Sequence, residues 1–479
     1  KVDAESGKSI PYAGAGFKIY DPQGNQVKMT FTYPTPTTID VFYTDANGSL
    51  VTPEKLDYGK GYSIVEVQAP YGYVLDDTPV YFDITEENST EEGGVTVVKV
   101  NKPNMAQKGT ITVEKTGEVF SGVNVSGSED SDVIYQPVYE VAGLEGAVYE
   151  VRAAEDISTP DGTLRYSKGE VVDTITTSSD GFVKSKELYL GKYEVKEITA
   201  PYGMVISGET HTVELTYAGQ NISVTETSTS FYNERQKVQV SLAKAIEKDK
   251  TFGIGDNGEI KNISFGLYAA EDIVSASGTV IPADGLIEIV SVNENGTAVM
   301  KSDLPFGKYY VKEKETANGY VLDGETREVD LTYRDQNTAE VTYSADWQNK
   351  RQKAEVKVLK KAKDSDRVLE GAVFALCNKD DIVNAKGDVI LKADTVIEEQ
   401  ATDKDGKLTF TADLPLGHTY YVKETSPAQG FATTDQVQEF TFEYGGAEKE
   451  TLSYEFTFED EATTVEFTKT SLTDGKEIE

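Results

Sequence analysis

The chain has 479 residues, and Asp plus Glu outnumber Lys plus Arg by 82 to 46, a formal charge of −36. That balance excludes a general nucleic-acid binder, which needs a basic footprint, and disfavours docking on anionic membrane. One Cys excludes an intrachain disulfide, 2 His leave little for His-based catalysis or a multi-His metal site, and no apolar run reaches membrane-spanning length.

Taken in chain order, the sequence repeats itself four times. The first pass opens at Lys1, turns at Asn47-Gly48 and again at Tyr58-Gly-Lys-Gly61, then runs through Tyr62-Ser-Ile-Val-Glu66-Val-Gln-Ala-Pro-Tyr-Gly72 to end at Val100-Asn101. The second opens with Ile111, Val113 and Lys115, turns at Asp180-Gly181 and Leu190-Gly-Lys192, and reaches Tyr193-Glu-Val-Lys-Glu197-Ile-Thr-Ala-Pro-Tyr-Gly203 and Phe231-Tyr-Asn233. The third carries Val238, Val240, Leu242 and Lys244, then Asn295-Gly296, Leu304-Pro-Phe-Gly307, Glu313 within Tyr310 to Gly319, and Trp347-Gln-Asn349. The fourth carries Val356, Val358 and Lys360, then Asp405-Gly406, Leu414-Pro-Leu-Gly417, Glu424 within Tyr421 to Gly430, and Phe458-Glu-Asp460. Val465, Phe467 and Lys469 restart the pattern, and Lys469 to Ile478 copies the nine-residue span from Lys1 to Ile10. A truncated fifth repeat, and hence a fragment of a longer protein, is expected from residue 462.

The segments between turns alternate apolar and polar residues and are rich in Tyr, Val, Thr and Phe, the signature of half-buried strands; Asp/Asn-Gly pairs mark hairpins. No long 3.6-residue stripe occurs. The expected fold is all-β, a tandem array of four sandwiches over residues 1–103, 104–236, 237–352 and 353–461, with short polar linkers.

In repeats two to four one Lys shares parity with the apolar face of the opening strand, so it points into the core, where Lys is rarely found without a partner. The step from each Glu to the polar residue closing the repeat is nearly constant: 101−66, 233−197, 349−313 and 460−424 give 35, 36, 36 and 36. A buried Lys, Glu and Asn can form an ion pair with hydrogen bonds, costly to desolvate. They can also react: burial lowers the amine pKa and raises the carboxyl pKa, leaving a nucleophile beside a proton shuttle. The product of that reaction is a neutral isopeptide bond.

The phrases Gly14-Ala-Gly-Phe17, Leu144-Glu-Gly-Ala147, Leu369-Glu-Gly-Ala-Val-Phe374, the Leu-Pro-x-Gly turns and the Glu-x-x-Ala-Pro-x-Gly stretches resemble the Cna B-type, or SpaA-like pilin, repeat of Gram-positive surface proteins. The resemblance covers essentially the whole chain. It implies an inverse immunoglobulin-like, prealbumin-like sandwich with an autocatalytic bond between first and last strands. The implied bonds are Lys1–Asn101 with Glu66, Lys115–Asn233 with Glu197, Lys244–Asn349 with Glu313, and Lys360–Asp460 with Glu424; the last loses water in place of ammonia. The third repeat departs from the pattern with Phe265-Gly266 and Ala317-Asn318, the fourth with Pro427-Ala428.

The expected function is a structural stalk of a cell-surface adhesin or pilus-like protein. It is expected on the bacterial surface, anchored to the cell wall through a C-terminal segment outside this sequence. No turnover enzyme, cofactor, metal, nucleic acid or membrane is expected, only single-turnover self-cross-linking. The alternative is a ligand-binding adhesin recognising a host matrix protein or glycan, with the insertion from Glu118 to Tyr139 as its surface. Gly253-Ile-Gly255-Asp-Asn-Gly258, which fits a dinucleotide fingerprint on paper, follows charged residues and reads as a loop. His211 and His418 fall in different repeats, and Cys377 reads as a small core residue.

Overall fold

The computed structural model describes residues 1–92, 95–128, 131–363, 365–473 and 475–476. It is almost wholly β-structure; among the described residues the one helical element is a 3-10 turn, Glu259–Asn262, just after the Gly253–Gly258 loop. The chain divides into two compact units: Lys1–Ser121 with Tyr139–Lys237 and Tyr333–Glu340, and Gly122–Val138 with Val238–Thr332 and Val341–Glu479.

In the first unit, repeat two shows the plan. The opening strand Lys108–Ser126 pairs in parallel with the closing strand Val224–Asn233, and antiparallel with Phe182–Lys184. A second sheet is ordered Val171–Thr176, Val148–Ala153, Gly191–Thr199, Thr210–Leu215. Between the sheets lie Ile111, Val113, Tyr149, Val151, Val195 and Phe231, all buried. The alternation read from sequence thus becomes two inward faces closing on one core. Repeat one keeps the second sheet, with Gly16–Tyr20 between Phe42–Tyr43 and Gly59–Gln68 and with Val80–Ile84 beyond. Its first sheet shrinks to a parallel pair, Val2–Asp3 with Pro103–Asn104.

The second unit repeats the plan twice. Lys237–Ile246 lies between Thr297–Met300 and the closing strand Glu340–Asn349, and Lys353–Ala362 lies between Lys407–Phe410 and Thr451–Asp460. The facing four-strand layers are centred on Ser264–Ala269 with Gly307–Glu315, and on Val373–Asn378 with His418–Ser426. Cys377 is buried in the strand Val373–Asn378, as a small core residue would be.

Residues 462–473 form no strand, and Val465 and Phe467 are exposed. A turn in this tail shares two backbone bonds with the turn that opens repeat one. Ser471 N donates to Lys476 O and Gly475 N to Ser471 O, just as Asp3 N donates to Lys8 O and Gly7 N to Asp3 O. Ile478, the last position of that sequence match, lies outside the described residues.

Candidate functional site

Each repeat buries one Lys–Glu pair. The Nζ–carboxylate distances are 2.8 Å for Lys1–Glu66, 3.0 Å for Lys115–Glu197, 3.3 Å for Lys244–Glu313 and 2.9 Å for Lys360–Glu424, and all eight side chains are 0% exposed.

The local sequence explains why each member is there. The hairpin glycine carries a positive φ (Gly48 73°, Gly181 82°, Gly296 76°, Gly406 68°) that other residues adopt with strain. Its carbonyl accepts the Lys backbone N–H, at 2.8 Å for Lys1 and Lys115, 2.6 Å for Lys244 and 2.7 Å for Lys360. At Gly181 a Cβ would sit 2.4 Å from Lys115 O, so the close approach itself requires glycine. The Asn/Asp-Gly turns therefore pin the lysine strands.

The Glu is aimed by a β-bulge. Register slips next to the pairs Phe17–Glu66, Tyr149–Glu197, Phe265–Glu313 and Phe374–Glu424, leaving one extra residue after every Glu. Such a slip re-aims a side chain without breaking the sheet. The carboxylate is then tied by a backbone N–H ten residues on: Oε2 accepts from Asp76 N at 3.1 Å, Ser207 N at 2.8 Å, Asp323 N at 2.8 Å and Thr434 N at 3.0 Å. The aromatic opposite the Glu covers the amine, with Nζ 5.5 Å from the Phe17 ring, 6.0 Å from Tyr149, 5.4 Å from Phe265 and 5.5 Å from Phe374. Phe17, Tyr149 and Phe374 each lie two residues after the Ala of a Gly/Ala phrase, a step that repeat three lacks before Phe265.

The closing strand supplies the third member. Lys115 Nζ is hydrogen-bonded to Asn233 Oδ1, and Lys244 Nζ to Asn349 Oδ1 at 2.5 Å. The amide nitrogens donate to the Glu: Asn233 Nδ2 to Glu197 Oε1 at 2.9 Å and Asn349 Nδ2 to Glu313 Oε1 at 2.6 Å. Asn349 Nδ2 also donates to Thr316 Oγ1 at 2.7 Å. Lys360 Nζ contacts Asp460 Oδ1. In repeats two to four an aromatic two residues before the acceptor packs on the covering ring, with centroids 4.9 Å apart for Tyr149–Phe231, 4.7 Å for Phe265–Trp347 and 4.8 Å for Phe374–Phe458.

Repeat one corrects the sequence reading. Asn101 is exposed. Asn104 is the buried residue, and its Nδ2 donates to Glu66 Oε2 and to Val74 O, each at 2.7 Å. Register gives the reason. Asp3, two beyond Lys1, pairs with Asn104, as Gly117 pairs with Asn233 and Ala362 with Asp460. The hairpin Thr90–Glu92 with Val95–Val97 precedes the closing pair, so the constant Glu-to-acceptor count breaks there. Lys102 stands where the other repeats carry the aromatic, buried and paired with Asp76 at 2.8 Å.

The electrostatics follow from burial. Desolvation pushes the Lys1 amine down to about 8, against the pull of Glu66, with the nearby Lys102 charge lowering it further. Burial also lowers the Lys115 and Lys244 amines, each partly offset by its Glu. It raises the Glu313 and Glu424 carboxyls, opposed by Lys244 in one case and chiefly by the Thr434 N–H and Lys360 in the other. A depressed amine and a raised carboxyl in a dry site shift the balance toward the neutral pair.

A sequence profile of the SpaA prealbumin-like fold domain matches residues 1–102, 139–230, 249–347 and 354–471. The chain belongs to this family. The SpaA-like repeats of this chain are similar to the trypsin-resistant surface T6 protein of Streptococcus pyogenes serotype M6, 24% identical over 219 residues, 45% of this chain and 38% of that protein. The match thus spans well under half the length of that relative. Among solved structures, the Bacillus anthracis TIE protein overlays 94% of this chain and 68% of its own, at 18% identity and a TM-score of 0.45. BcpA, the major pilin subunit of Bacillus cereus, overlays 74% of this chain and 100% of its own, at 13% identity and a TM-score of 0.30.

Among the described residues no group of three or more His, Cys, Asp or Glu could hold a metal ion, and no helix is long and apolar enough to cross a membrane. His211 stacks on Phe231 at 4.0 Å, its Nδ1 lies 2.7 Å from Thr229 Oγ1 and its Nε2 3.4 Å from a Glu209 carboxylate oxygen.

Proposed function

We propose that this chain is a load-bearing stalk region of a Gram-positive surface adhesin or pilus-like protein, each SpaA-like repeat closed by a self-formed isopeptide bond. The observation that carries the reading is the set of four buried Lys–Glu pairs, each with an amide or carboxyl of the closing strand hydrogen-bonded to the Glu or touching the Lys.

The chemistry balances without a cofactor. The neutral Lys amine adds to the Asn side-chain carbonyl carbon while the protonated Glu donates to its oxygen. The Glu then carries a proton from the new N–C bond to the departing nitrogen. An amide forms, ammonia leaves, and the carboxyl ends as it began. With Asp460 protonated, water leaves instead. The folded core holds the reactants together, which replaces the entropy of a bimolecular encounter.

The parallel first and last strands give the bond its mechanical meaning. Pulling the start of one and the end of the other shears their hydrogen bonds, and a covalent tie at the end of the closing strand carries that load across. The proposed setting is the bacterial surface, with cell-wall anchoring through a segment outside this sequence. Similarity to a streptococcal surface protein supports that setting.

The adhesin alternative needs a free insertion between Glu118 and Tyr139. Part of that segment is already engaged, since Asp132 pairs with Lys314 at 2.7 Å and Ile134 bridges Leu286. No specific observation favours a host ligand there.

Intact mass tests the proposal. Three Lys–Asn bonds and one Lys–Asp bond remove about 69 Da together. The unmodified mass in the folded native protein would sink it.

A further inference from the structure

The phrase that ends in a glycine six residues after each Glu has no part in the bond. Its glycine instead receives the linker to the next repeat. Gln107 N donates to Gly72 O, Gln236 N to Gly203 O and Gln352 N to Gly319 O, each at 2.9 Å. All three glutamines are buried.

Their side chains grip a loop of the following repeat in one pattern. Gln107 Oε1 accepts from Ala218 N at 2.8 Å, and its Nε2 donates to Gly219 O and Ile222 O. Gln352 Oε1 accepts from Gly445 N at 2.8 Å, and its Nε2 donates to Gly446 O at 3.1 Å and Lys449 O at 2.7 Å. Within the first unit, Gln236 makes the same three bonds to Arg334 N, Asp335 O and Thr338 O. The loop answers with a backbone bond to the preceding repeat: Leu75 N donates to Gln220 O and Leu322 N to Ala447 O, both at 2.9 Å. A tyrosine seals each contact, Tyr217 OH donating to Tyr73 O at 3.4 Å and Tyr444 OH to Tyr320 O at 3.2 Å.

We propose that these contacts are a built docking interface between successive repeats, in which the linker glutamine is a latch. It makes three hydrogen bonds to one loop while its own backbone is held by the glycine of the repeat before. A buried amide satisfied at both ends fixes orientation, because turning one repeat against the other would strand several polar groups out of water. Position 463 shows the contrast. Thr463 N donates to Gly430 O at 2.9 Å like the glutamines, but its hydroxyl folds back on the same carbonyl at 3.0 Å, so no latch reaches onward.

The stalk reading supplies a purpose for the latch; the contacts stand apart from the triads. The test uses the full chain with spin labels on exposed positions of repeats one and two (Tyr81→Cys with Leu164→Cys) or three and four (Val299→Cys with Val437→Cys), the native Cys377 being buried. Double electron–electron resonance is expected to give one narrow distance distribution in each parent. Gln107→Ala should widen the first at least twofold, and Gln352→Ala the second, with the mass lost to cross-links unchanged. Two independent junctions guard against one variant failing to fold. Unchanged widths in both overturn the latch, whereas a parent mass without bond loss overturns the cross-links and leaves the latch untouched.

Discussion

Lys360 and Asp460 sit two residues out of register on adjacent parallel strands, Lys360 opposite Phe458 and Asp460 opposite Ala362, with Glu424 2.9 Å from the same amine. Repeats one and two carry the same offset, which brings a side chain from the opening strand diagonally across to one on the closing strand. At Asp460 the leaving group is water. Asp460→Asn is expected to lower the mass loss of the fourth repeat from about 18 to about 17 Da, and Asp460→Ala to abolish it. Removing the tie reopens a loop of roughly 100 residues, which by the loop-closure argument costs about 4–5 kcal/mol. Mass spectrometry with thermal unfolding checks both.

Asn104, not Asn101, faces Glu66. Asn101→Ala is expected to leave the mass loss of the first repeat intact, whereas Asn104→Ala removes about 17 Da of it. Peptide mapping across residues 1 and 104 distinguishes them; a Lys1–Asn101 linked peptide would defeat the assignment.

Glu313→Gln keeps shape and hydrogen bonds but cannot shuttle a proton. The third repeat should regain its full mass while the other three keep their losses. Burial raises the Glu313 carboxyl, which favours the protonated form that donates to the Asn349 carbonyl. Cross-linking in the variant would show that the carboxyl is not the proton carrier.

The Lys1 amine, lowered from its ordinary value to about 8, sets a pH window. The neutral fraction is about a tenth at pH 7 and about half at pH 8. Bond formation in repeat one, followed by mass after refolding at fixed pH, should therefore rise several-fold between these values. In Asn104→Ala, where the amine stays free, the sign for stability is the same. The unfolded state holds the proton up to about 10.5 and the folded state only to about 8, so stability rises with pH between them. A flat melting profile over that range would contradict the depressed pKa.

Phe374 covers Lys360 and stacks on Phe458 in a fully buried site. Phe374→Ala should cost about 3–5 kcal/mol through the cavity alone. By admitting water it should also slow the fourth bond. Phe374→Tyr, matching Tyr149 of repeat two, should retain the bond, which separates shielding from packing.

Much of this was legible in one dimension. Strand alternation, Asp/Asn-Gly hairpins and the parity of Lys115, Lys244 and Lys360 are local properties, so they survive without neighbours. The repetition of Glu at a fixed step from the closing Asn made three of the four sites readable, because those repeats share an uninterrupted closing strand. Repeat one failed this count since an added hairpin shifts the chain before Pro103–Asn104. The bulge after each Glu, the ring over each Lys and the backbone N–H ten residues on are pairings across strands, invisible to any spacing rule.

The sequence by itself determined which residues would face inward and which chemistries they could offer, because side-chain direction follows from the two-residue period of a strand. Only the tertiary structure decided which of two nearby asparagines meets Glu66 and that the linker glutamines grip the following repeat. Those choices depend on register and on buried hydrogen bonds between segments a hundred residues apart, and such partners are fixed when the sheets close rather than by the order of residues along the chain.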